Sequence, residues 1–276
     1  MVDIYQLNHR AMATYFEVRI ADEERAYAAQ AAQAALDLLD KLESRLSRFR
    51  ANSDIAQIAQ LTPGERLRLN EPTYACLEIA KRMERVTFGG FSATAAVMQT
   101  QASLPKWSLL PEEVAIQCEG GRLQFDLGAI GKGFALDRMA ELLHNWDCPS
   151  FLLVAGGSSI LAGDAPRQTT GWSCGLGDDD AAQRFFLSRT SLSGSGLAVK
   201  GNHILDPRTG EPALRQKRAW ALADTAAESD ALSTACMVLN EAELEKVLAQ
   251  DATWLFFLET DEWARPMGHR ALPPRA

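Results

Sequence analysis

The sequence predicts a mixed chain of strands and helices folded around a substantial core, as one large domain or two closely joined lobes. Three observations predict this. Leu36, Leu39, Leu42 and Leu46 recur at the spacing of one helical face. Leu123, Phe125 and Leu127 alternate with Gln124 and Asp126, the period of a half-buried strand. Gly128, Gly131 and Gly133 then join that run to a second helical stripe of Ala135, Met139, Leu142 and Leu143.

In chain order, residues 12–20 read as a first strand, with Tyr15, Phe16, Val18 and Ile20 as β-favouring bulk. Residues 27–49 form a long helix whose apolar stripe runs from Leu36 to Phe49 and belongs in the core. Ser53 or Asp54 caps a short helix bearing Ile55, Ile58 and Leu61. Thr62, Pro63 and Gly64 turn the chain, and Leu67 and Leu69 extend it. Pro72 opens a helix with Tyr74, Leu77, Ile79 and Met83 that ends before Gly89. Residues 87–113 read as a loop with a short helix, and 114–118 as a strand. The strand, glycine turn and helix of 123–143 follow, and 151–155 completes a βαβ unit. Residues 171–177 and 184–187 are extended, SLSGSG (191–196) is a turn, and DPRTGEP makes another. Residues 219–223 read as a strand, 228–240 and 241–250 as helices, and 253–258 as a strand paired with DEWAR. The tail 271–276 is expected to be loose.

With 28 basic and 36 acidic side chains, the net charge of −8 argues against a nucleic-acid surface. Five scattered cysteines without a CxxC pair exclude a disulfide framework or structural zinc. No apolar run is long enough to span a membrane, and the amino terminus has no leader-like pattern, so a cytoplasmic location is expected.

Three patches can carry chemistry. At 123–143, glycines let a ligand approach the backbone where a helix start offers free amides, Lys132 adds a cation and Asp126 a carboxylate. The pattern is neither a P-loop, since Gly133 follows the lysine, nor the dinucleotide fingerprint. It serves a phosphate ligand or simple packing. In the second patch Asp230 and Thr234 lie four apart on one helical face and present hard oxygens of the kind magnesium takes; Asp230 or Ser229 is equally placed to cap the helix. In the third, Ser193, Gly194 and Ser195 offer hydroxyls and amides to an anion, and His203 stands between a turn and an apolar run.

In this order the motifs resemble the ApbE family, the FAD:protein FMN transferases. FDLGAIGKGFALD resembles its strand-to-helix motif, FLLVAGGSSILAGD its glycine-pair strand, and HILDPRTGEP and ESDALSTACMVLN its last two motifs. MAT (12–14) and RFRANSDIAQI complete the order. The chain departs from the family pattern at MAT, where MGT is usual, and at GGFSATAAV, where GGxFDPTxGP is usual and an aspartate becomes Ser92.

The resemblance implies an α+β fold of mixed sheets with packed helices, related to the tunnelling fold. It also implies a protein that takes FAD and Mg2+. By motif position Met12, Asp126, Lys132 and Ile204 would contact FAD, and Ser193 joins them as the anion donor of the third patch. The Ala129 carbonyl, Asp230 and Thr234 would hold the metal, and His203 with Asp230 would serve catalysis. The implied partner is an acceptor protein whose Thr or Ser hydroxyl receives FMN while AMP leaves. Two further readings use the same motifs: a pyrophosphatase cleaving FAD to FMN and AMP, and a non-catalytic flavin-binding protein.

Overall fold

The structure, a computed structural model, describes residues 3–100, 103–177, 183–197, 204–259 and 264–276. The chain opens with a hairpin, β1 (Ile4–Ala11) and β2 (Thr14–Ala21), paired from Ala11 opposite Thr14 outward. Its two turn residues, Met12 and Ala13, both have positive φ, 49° and 59°. That is the turn hand that matches strand twist. Sequence reading placed the first strand from Met12 and missed β1. As an edge strand, β1 alternates only exposed and half-buried positions before Ala11.

Next come α1 (Arg25–Leu46), α2 (Asp54–Ile58), β3 (Arg66–Arg68), α3 (Glu71–Val86), β4 (Lys106–Leu110) and β5 (Ala115–Gly120). Then α4 (Gly131–Asn145), β6 (Phe151–Ala155), β7 (Ser159–Ala162), β8 (Trp172–Leu176) and β9 (Gln183–Leu187) follow. The chain closes with β10 (Thr190–Gly196), β11 (Arg218–Ala223), α5 (Ala226–Val238), α6 (Glu241–Leu248), β12 (Leu255–Glu259) and β13 (Ala264–Met267).

Eight strands form one antiparallel sheet in the order β1-β2-β6-β7-β10-β11-β12-β13. The period of two gives it two apolar faces. Phe16, Val18, Leu153, Leu161 and Ala221 face α1, α4 and α5, while Leu152, Leu192, Trp220 and Phe257 lie under the β8–β9 hairpin. A three-stranded sheet, β3-β5-β4, stands beside them. All five cysteines are buried thiols without disulfide bonds.

Five expectations are corrected. Residues 123–127 form no strand: Leu123 and Phe125 are buried, but the segment joins no sheet, and Asp126 N–H donates to the Ala93 carbonyl at 2.7 Å. Its alternation is answered by core packing, with Phe125 edge-on to Trp107. The βαβ unit therefore does not form, since β6 runs antiparallel to both its neighbours. SLSGSG is strand β10 rather than a turn. Its glycine is required because a Cβ on Gly194 would stand 2.7 Å from the Trp220 ring. Phe49 lies beyond the end of α1 and is 82% exposed. The tail is held rather than wholly loose: the Phe186 amide donates to the Pro274 carbonyl and the Ala276 amide to that of Arg184.

Candidate functional site

The site begins where two helix starts touch. A Cβ on Gly133 would sit 2.0 Å from the Ala226 carbonyl oxygen, so only glycine lets α4 come this close to the beginning of α5. One turn on, the Asp137 carboxylate accepts the amides of Ala226 at 2.6 Å and Ala227 at 2.8 Å. Burial pushes Asp137 up to about 7 even though both amides pull it down. Thr225 is the cap of α5, its side chain accepting from the Glu228 amide. Asp230 therefore lies a turn inside the helix, and its carboxylate is not a cap.

That close approach brings Lys132 to Asp230. The ammonium is 3.2 and 3.3 Å from the two carboxylate oxygens and donates to the Gly128 carbonyl at 2.9 Å. The Asp230 side chain is only 4% exposed, so its remaining partners matter. They are the Ser159 hydroxyl at 3.1 Å and the Gly133 amide at 3.2 Å. One turn along α5, the Thr234 hydroxyl lies 3.4 Å from the Asp230 carbonyl and 3.2 Å from Ser195 Oγ.

The opposite wall comes from elements far away in sequence. Asp126 accepts the Gly128 amide at 2.9 Å on one oxygen and Arg48 at 2.8 Å on the other. Met12, at the tip of the β1–β2 hairpin, donates its amide to Glu43 at 2.8 Å, and Arg50 holds the other Glu43 oxygen at 2.7 Å. These walls enclose a cleft of about 1400 Å³ that Met12, Asp126, Ala129, Lys132, Ile204, Asp230 and Thr234 all line.

One expected residue is not brought to the cleft. Ser193 is buried between β10 and α5, its hydroxyl 2.8 Å from Ser229 Oγ. Two positions along the same face, Ser195 is the serine that reaches the cleft. His203 lies outside the described residues. Sequence reading also missed Glu43, Arg48, Ser159 and Asp137. Glu43 and Arg48 sit in the charged sequence at the end of α1, where a solvated face reads the same as a wall. Asp137 carried a signal, since it follows an apolar turn of α4 that leaves a carboxylate toward the core.

Among the described residues, no group of three or more His, Cys, Asp or Glu is placed to hold a metal. A metal here would rest on one carboxylate, a hydroxyl and a carbonyl: Asp230, Thr234 and Ala129, all at the cleft. Such a hard-oxygen set fits magnesium when ligand oxygens and water complete it. The buried carboxylate already holds a cation, the Lys132 ammonium, so the pocket accommodates positive charge at this point.

A model described as the ApbE family matches residues 12–256. The chain belongs to the ApbE family. A FAD:protein FMN transferase of Treponema pallidum (strain Nichols) is 28% identical over 166 residues, 51% of this chain and 46% of that protein. Another, of Vibrio cholerae, is 21% identical over 266 residues, covering 83% of this chain and 79% of that protein. The chain spans about half the length of the Treponema relative. Among solved structures, flavin transferase ApbE from Vibrio cholerae superposes with a TM-score of 0.82 at 17% identity over 97% of both chains. The apo flavinyl transferase ApbE of Pseudomonas stutzeri gives 0.83 at 18% identity over 97% of this chain and 94% of its own. This chain shares their α+β fold of sheets and packed helices, and its described sheets are antiparallel throughout rather than mixed. No helix among the described residues is long and apolar enough to cross a membrane.

Proposed function

We propose that this ApbE-family protein is an FAD:protein FMN transferase, which moves FMN from FAD onto a Thr or Ser hydroxyl of an acceptor protein and releases AMP. The observation that carries the reading is the meeting of Lys132, Asp230 and Thr234 with the 126–129 turn in one cleft. The names of its relatives support the same reaction.

In that reaction the acceptor oxygen forms a bond to the FMN-side phosphorus. The bond from that phosphorus to the bridging oxygen breaks, and the electron pair leaves with AMP. Asp230, Thr234 and the Ala129 carbonyl would hold Mg2+, which when bound supplies positive charge to the phosphoryl oxygens. Lys132 adds a second cation beside the pyrophosphate, where developing negative charge is stabilised by groups already in place. Asp126, fixed by Arg48 and the Gly128 amide, orients the bound nucleotide. Met12, held by Glu43, lies along the flavin, and Ile204 lies near the nucleotide. His203, adjacent to Ile204 in the chain, is the proposed acceptor of the hydroxyl proton.

The test is incubation with FAD, Mg2+ and proteins encoded beside this one, followed by mass measurement of each protein. Covalent FMN on an acceptor hydroxyl is the expected result. AMP and free FMN released at the same rate with every acceptor unmodified would instead make the protein an FAD pyrophosphatase.

A further inference from the structure

Lys132 is placed against the local field. It occupies the first turn of α4, where the helix dipole is positive and a cation is disfavoured. What holds it there is the pair of Asp230 oxygens at 3.2 and 3.3 Å and the Gly128 carbonyl at 2.9 Å. The carboxylate is nearly sealed, with 4% of its side chain exposed, whereas 19% of the Lys132 side chain reaches the cleft. Asp230 is thus the fixed partner and Lys132 the one with somewhere to go. A divalent ion on this carboxylate and an ammonium bridging both of its oxygens compete for the same lone pairs.

We propose that Lys132 is the resident counter-ion of Asp230 in the ligand-free protein, and that metal entry displaces it toward the phosphates of the bound nucleotide. The proposal rests on the magnesium reading of the site given above. One charge then serves twice. Before metal binds, it keeps a buried carboxylate paired, which avoids the cost of a desolvated lone charge. Once metal holds Asp230, Lys132 is the cation left without a carboxylate at the amino end of α4, where an anionic ligand is favoured. Metal and nucleotide should therefore bind in a coupled way, each making room for the other through this one side chain.

The experiment follows acetylation of the Lys132 amine by an N-hydroxysuccinimide ester in the full chain, read by peptide mass spectrometry. It uses flavin-free protein, the same with Mn2+, and the same with Mn2+ and ADP. Metal occupancy is measured separately by calorimetry on the wild type and Asp230→Asn. The expected pattern is slow labelling without metal, faster labelling with Mn2+ alone, and slow labelling again when ADP supplies a pyrophosphate. Lys132→Met should also bind Mn2+ about tenfold more tightly in the absence of nucleotide, because the competitor is gone. Mn2+ binding that needs Asp230 but leaves the Lys132 labelling rate unchanged would overturn the displacement while leaving the metal site intact. Equal Mn2+ binding by the wild type and Asp230→Asn would instead remove the metal reading itself, and the proposal with it.

Discussion

Asp137 joins two helices that sequence separates by about ninety residues: its carboxylate oxygens accept the first two amides of α5, from Ala226 at 2.6 Å and Ala227 at 2.8 Å. Those amides have no partner within their own helix. Because Asp137 stands on α4 little more than a turn after Lys132 and the amides begin the helix that carries Asp230, this contact helps to set the distance between Lys132 and Asp230.

Asp137→Ala should lower stability by about 1–2 kcal/mol, the usual cost of losing such a cap, seen as a fall in the urea midpoint. The pH dependence has a definite sign. Burial raises the Asp137 carboxyl from its ordinary value to about 7, so the folded chain holds this proton more tightly than the unfolded one. Its contribution is complete in acid and fades as pH rises through about 7. Between pH 5 and 8 the wild type should therefore lose stability relative to Asp137→Asn. A flat difference across that range would mean that the group titrates normally.

Gly133→Ala is expected to be among the most damaging single-methyl changes in the chain. The added carbon would meet the Ala226 carbonyl at 2.0 Å, and backbone cannot step aside as a flexible side chain can. The cost should reach at least the range of about 1–3 kcal/mol for overpacking. The same shift should part Lys132 from Asp230, so nucleotide binding falls in whatever fraction folds. Thermal melts with and without FAD measure both.

Ala13→Gly should stabilise the protein. Ala13 sits at φ 59° in the hairpin turn, a conformation costing an L-residue about 1–2 kcal/mol, while glycine's greater freedom in the unfolded chain returns about 0.5–1 kcal/mol. A rise in melting temperature equivalent to about 0.5–1 kcal/mol is expected. An unchanged or lower melting temperature would show that the Ala13 methyl makes contacts that offset its strain.

Much of the fold was legible where burial on one face is strong. The leucines of α1, the alternation of β2 and the continuous apolar run of β6 each point to one element, and those elements form. Legibility failed where the same pattern has two physical answers. The alternation at 123–127 fits a strand, yet core packing around Phe125 satisfies it without a ladder. The serines and glycines of β10 look like a turn because their large partner, Trp220, is on another strand. At the site, Asp126, Lys132, Asp230 and Thr234 were found from motifs, and the cleft contains all four. Sequence does not distinguish Ser193 from Ser195, because it does not say which position along β10 reaches the cleft. Pairings such as Met12 with Glu43, or Asp126 with Arg48, link residues 31 and 78 positions apart, and no local pattern records them.

The most direct measurement is AMP formation from FAD against Mg2+ concentration for the wild type and Asp230→Asn. The exchange keeps size and leaves one acceptor oxygen for the Gly133 amide, with the new NH2 turned to the Ser159 hydroxyl, which can accept, but it removes the charge on which metal and Lys132 both depend. Wild type should show saturable Mg2+ dependence. The variant should stay folded, as judged by circular dichroism, while its AMP formation falls on the order of a hundredfold or more, as when a principal electrostatic stabiliser is lost. Turnover and Mg2+ dependence equal to wild type would contradict the central assignment, because Asp230 would then hold no metal.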